Sequence, residues 1–131
     1  MSIVRFGVSL EKELLEALDH YALKNSFPNR SQAIRHLISE NTVQEKWDQN
    51  QEVAGAITIV YDHHKRNILH TLNHIQHDYH SIILSNLHFH IDHHNCMEII
   101  AVKGRAGVLR ELAEKIISTK GIEHGKLTMT H

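Results

Sequence analysis

With 131 residues, of which 41% are hydrophobic, the chain can form one ordinary domain or two very small ones and is too apolar to be a disordered segment. No apolar run approaches the roughly 20 residues of a membrane span. The opening MSIVRFGVSL lacks the layout of a secretory signal, and a single cysteine, Cys96, excludes an internal disulfide framework, so a cytoplasmic location is expected.

A formal net charge of −1 leaves no basic footprint, and residues 1–50 carry six basic against seven acidic side chains. Any contact with nucleic acid must therefore come from where charges are placed. Residues 3–9, IVRFGVS, alternate, with Val4, Phe6 and Val8 on one side and Arg5, Gly7 and Ser9 on the other, which predicts a short half-buried strand. Ser9 is the expected N-cap of a helix whose apolar stripe is Leu10, Leu14, Leu18 and Tyr21. After the break at Asn25–Pro28, Asn29 with Gln32 three residues on forms a capping-box signal for a second helix with Ala33, Ile34, Leu37 and Ile38 facing inward. One strand and two helices cannot bury a core alone. A homodimer in which two copies of residues 3–9 pair as a ribbon solves both problems, and such a ribbon fits the DNA major groove. Phosphate contacts are expected from Arg30, Ser31 and the backbone N–H groups that open the second helix.

Residues 48–54 read as a polar linker. Beyond it the pattern predicts a strand at 56–62, a helix at 65–80, strands at 81–91 and 96–104 joined by a tight link at 92–95, a helix at 107–119 with Gly121 as its C-cap, and a strand at 125–130. This β-α-β-β-α-β order is that of a ferredoxin-like sandwich. The expected organisation is an α+β chain with an N-terminal domain at 1–49 and a C-terminal domain at 50–131.

Histidine, the commonest protein metal ligand, occurs 14 times. His88 and His90 project from one face of a strand, and the turn returns Cys96 beside them, so three ligands converge from one hairpin. A fourth is available from His70, His74 or His77, which share a helix face, in the same chain or a neighbour. A thiolate with imidazoles excludes magnesium and calcium and suits nickel, copper, zinc or cobalt. Filled by four protein ligands, such a site senses or stabilises rather than catalyses. His63, His64, His93 and His94 are expected to be solvated surface residues.

The segments around Arg5, NRSQAIRHLI (29–38), YDHHKR (61–66) and QHDYHSIILSNLHFHIDHHNCMEIIAVKG (76–104) together resemble the nickel-responsive ribbon-helix-helix regulators of the NikR type over nearly the whole chain. The resemblance implies a non-enzymatic, nickel-dependent regulator of transcription that binds double-stranded operator DNA, built as a homotetramer whose regulatory domains are similar to ACT domains. It implies one Ni(2+) per subunit in a square-planar site of His88, His90 and Cys96 from one subunit and His77 from another, and it selects His77 among the three helix candidates. It further implies that Arg5, Gly7 and Ser9 face the bases. Gly7 departs from the hydroxyl residue usual in the family, and Gln32 and His36 replace the acidic pair of an auxiliary cation site, which is therefore not expected. The competing readings are a nickel or copper storage or delivery protein without DNA function, a zinc hydrolase, and a repressor with an organic effector.

Overall fold

The computed structural model describes residues 2–131, which form two compact units, the first ending at Asn41 and the second running from Thr42 to His131. Residues 2–10 form neither strand nor helix, in contrast to the predicted strand. A strand exists through its hydrogen bonds to a neighbour, and the single chain offers this segment none. Helix α1 spans Lys12–Lys24. Its N-cap is Glu11, with no side-chain cap bond, so Ser9 lies outside the helix rather than capping it. Helix α2 spans Arg30–Asp48, and here the expected cap forms, with Asn29 Oδ1 accepting the Gln32 N–H at 2.9 Å. Within residues 2–41 only Ala22 and Ala33 are buried. Phe6, Val8, Leu10, Leu14, Ile34 and Leu37 line an open apolar groove.

Because α2 continues to Asp48 and β1 begins at Glu52, the expected linker shrinks to residues 49–51. Trp47, in the last turn of α2, is almost wholly buried and its indole N–H donates to the Thr130 carbonyl at 2.9 Å, which explains why the helix runs on: its end belongs to the core of the second unit.

The second unit is a four-stranded antiparallel sheet in the order β2-β3-β1-β4, with β1 at Glu52–Asp62, β2 at Ile83–His90, β3 at Asn95–Arg105 and β4 at Ile122–Thr130. Helix α3 (Ile68–Asp78) and helix α4 (Ala106–Ile117) complete the predicted β-α-β-β-α-β order. Helix α3 is shorter than its periodicity because Asn67 sits at φ 70, a left-handed conformation that no helix continues through. Helix α4 ends at Ile117 with Ser118 as its C-cap, so Gly121 is not the cap. At φ 102 it instead makes the turn into β4, where an added Cβ would meet the Ile68 side chain at 2.8 Å.

Alternation along β1 buries Val53, Ile57, Ile59 and Tyr61 against the helices, and β3 matches with Cys96, Glu98, Ile100 and Val102. Leu109, Leu112 and Ile116 of α4 and Ile68 and Leu72 of α3 close this core; each such side chain contributes about 1.5–3 kcal/mol by leaving water. The opposite sheet face carries partly exposed Val60, Met97 and Ile99 with exposed Leu87 and Phe89, an apolar surface that neither α3 nor α4 covers. No helix among the described residues is long and apolar enough to cross a membrane.

Candidate metal centre

The β2–β3 pairing sets His90 opposite Cys96 and His88 opposite Glu98, while β1 places Tyr61 on the other side of Cys96. Cys96 is fully buried, with its Sγ 3.4 Å from His90 Nδ1. The nearest imidazole, however, is one the sequence reading assigned to the solvated surface. His63 is half-buried and its Nδ1 lies 3.1 Å from the Cys96 sulfur, its ring edge-on to His90 at 4.9 Å between centroids. His63, His90 and Cys96 thus bring three ligand atoms within 4.8 Å of one another. The signal was present in the sequence. Positions 57, 59 and 61 all face the core, and the same alternation carried two residues past Tyr61 reaches His63.

His88 lies farther out. Its Nδ1 is 4.0 Å from Glu98 Oε1 and its ring meets Tyr61 edge-on at 6.0 Å. His77 is an exposed residue near the end of α3, stacked on His80 at 5.9 Å, and is not a member of the Cys96 cluster within the chain. Of the four expected ligands, the fold therefore brings His90 and Cys96 together, sets His88 one step along the same strand face, and leaves His77 at the surface. His70 and His74 are exposed helix positions, and His64, His93 and His94 are exposed in the loops, these three as expected.

Under this cluster Glu98, the only buried charged residue among those described, ties three elements together. Its Oε1 accepts the Tyr61 hydroxyl at 2.9 Å and its Oε2 accepts the Gln76 side-chain N–H at 2.8 Å and that of Asn86. Desolvation and the Glu98 hydrogen bond push the Tyr61 phenol up, so it stays a donor. Burial pushes the Cys96 thiol up, and the Asp62 and Glu98 carboxylates add to it. Burial holds His63 below the usual imidazole range, with His64 and His90 contributing, which keeps a neutral, ligand-competent nitrogen beside the sulfur. A thiol and two imidazoles converging on one point fit a borderline transition-metal ion and suit no oxygen-loving one.

The sequence matches the NikR C-terminal nickel-binding domain over residues 54–130 and the ribbon-helix-helix proteins of the copG family over residues 4–45. Relatives that carry the name nickel-responsive regulator occur in Nitratidesulfovibrio vulgaris (strain Miyazaki F), 49% identical over 97% of this chain and 92% of that protein, and in Thermococcus onnurineus and Pyrococcus furiosus, each 49% identical over 99% of this chain and 95% of theirs. The chain belongs to the family of nickel-responsive regulators. That makes it a DNA-binding regulator with a nickel-binding C-terminal domain rather than an enzyme. A likeness in fold alone joins it to the uncharacterized protein TM1266 of Thermotoga maritima, with a TM-score of 0.56 at 15% identity over 62% of this chain and all of that one.

The N-terminal candidates of this family member are also placed. Arg5, Gly7 and Ser9 lie exposed on the segment that precedes α1. Arg30 is held by Asp19 through two bonds, Nε to Oδ1 at 2.8 Å and Nη2 to Oδ2 at 2.9 Å, so the guanidinium is fixed at the start of α2 beside exposed Ser31.

Proposed function

We propose that the protein is a nickel-dependent repressor of nickel-uptake or related genes, acting in the cytoplasm as a homotetramer with one Ni(2+) per subunit. The observation that carries this reading is the placement of Cys96, buried and beside His90, in a nickel-binding domain on the same chain as a ribbon-helix-helix unit. His88, His90 and Cys96 would hold the ion from one subunit and His77 from another. Two features favour a shared site: His77 is exposed, and the apolar sheet face around Leu87 and Phe89 asks for a second copy. A ligand set divided between subunits makes ion binding depend on quaternary arrangement. Bound nickel supplies the bond energy that favours one arrangement of the subunits. The DNA-binding unit (1–49) and the regulatory unit (50–131) divide the work, with Arg5, Gly7 and Ser9 facing the bases of a paired ribbon and Arg30 and Ser31 meeting phosphates.

Nickel-dependent retention of a duplex selected from a random library tests this reading in a mobility-shift assay. Cys96→Ala should abolish the nickel response and the thiolate-to-nickel absorption while the fold remains. A variant that responds normally overturns the site. Arg5→Ala should weaken DNA binding with nickel affinity unchanged, and parallel loss of both would count against the assignment.

A second ligand set is favoured by one distance, the 3.1 Å from His63 Nδ1 to Cys96 Sγ. If His63 rather than His77 completes the site, His63→Ala removes the absorption and His77→Ala leaves it.

A further inference from the structure

The tripeptide Asp-His-His occurs twice, at 62–64 where β1 ends and at 92–94 in the turn between β2 and β3, and the fold brings the two copies together. They do different work. Asp92 is consumed by its own turn: Oδ1 accepts the N–H groups of His94 at 2.9 Å and Asn95 at 2.8 Å, and Oδ2 takes the Asn95 side chain at 3.2 Å. That turn delivers His94 toward β1. Asp62 engages Oδ1 alone, with the His64 N–H at 2.9 Å and the His64 Nδ1 at 3.2 Å. Asp62, His64 and His94 therefore present three ligand atoms within 4.8 Å of one another, two from the end of β1 and one from the turn between β2 and β3. His93 stands beside them, its ring 5.6 Å from that of His64 and 4.9 Å from that of His94.

We propose that Asp62, His64 and His94 form a second, outer cation site, distinct in every ligand from the Cys96 centre. Ligand bonds of about 2.0–2.2 Å require the donor atoms to close by about 1 Å, a rotation open to exposed imidazoles on loops. Two imidazoles and one carboxylate select zinc, nickel, cobalt or copper over magnesium and calcium. The set lacks a thiolate, and His64 and His94 are exposed, so water completes the shell and the ion binds more weakly than at Cys96.

The test is made in full-length Cys96→Ala protein, so that its outcome does not depend on the ligands or the metal assigned to the inner centre. Zinc alone is the probe. Equilibrium dialysis should find a bound ion whose affinity falls about a hundredfold or more when His64→Gln and His94→Gln are added, since even supporting groups of metal ligands are worth 10–100-fold. In the parent, the imidazole resonances of His64 and His94 should shift together on titration. His74→Gln with His80→Gln, the control for adventitious surface histidines, should leave the affinity within about threefold, well short of such a ligand loss. An equal loss in the control pair, resonances that move independently, or no zinc bound by Cys96→Ala protein of unchanged circular dichroism would each overturn the proposal.

Discussion

The two units of the chain are built from similar amphipathic elements and differ in where those elements find partners. In residues 42–131 every inward stripe meets another, and a continuous cluster runs from Trp47 to Ile116. In residues 2–41 the stripes end in solvent: Phe6 is 75% exposed, Leu14 54% and Leu37 45%. A unit that buries only two alanines cannot offset the entropy of ordering some forty residues, at about 1–2 kcal/mol each for the backbone alone. The first unit thus lacks a core of its own, whereas the second has one within the single chain. On the proposed reading, DNA recognition would wait on dimerisation, whereas His90 and Cys96 already stand side by side within the single chain.

The comparison is sharpened most by Leu112→Ala, which removes a fully buried side chain of α4 and should cost about 2–5 kcal/mol in denaturant unfolding, independent of protein concentration. Leu14→Ala in the first unit should cost little in dilute protein but weaken its self-association, visible as concentration-dependent loss of α1 amide protection. Equal, concentration-independent losses at both positions would break the distinction. Glu98→Ala, which leaves Tyr61, Gln76 and Asn86 without their buried acceptor, should cost about 1–3 kcal/mol and loosen nickel binding through His88 and α3.

Acidity gives the next effect. The Cys96 thiol is held above its ordinary value, so between about pH 7 and 8 it carries its proton until an ion displaces it, whereas His63, held below its ordinary value, is neutral there. One proton is released per ion captured, and nickel affinity should rise about tenfold per pH unit across that window, measured by competition with a chelator. A flat profile would remove the thiolate from the site. The smallest effect is Asn29→Ala, which deletes the Asn29–Gln32 cap and should cost about 1 kcal/mol, confined to the start of α2.

Much of the second unit was legible because its signals are local. Period-two runs gave β1 to β4, and the turn at 92–95 gave the pairing that sets His90 against Cys96. The first strand was legible as a pattern but not as a structure, since a strand needs a neighbour to bond to and the single chain offers residues 2–10 none. The boundary at 48–54 misled because Trp47 sits in a helix whose other end lies in the first unit, and the burial of an indole is not a local property. His63 was hidden by its neighbour. A His-His pair after a strand looks like a solvated loop until the inward alternation of Ile57, Ile59 and Tyr61 is carried past the strand end.

The depth of Cys96 bears on how the protein ages. Thiols are oxidised and alkylated as thiolates, and this sulfur is both fully shielded and biased toward its protonated form. Aerobic handling should therefore spare the residue on which ion capture depends, so that a stock stored without reductant keeps its capacity for nickel far longer than an exposed cysteine would allow.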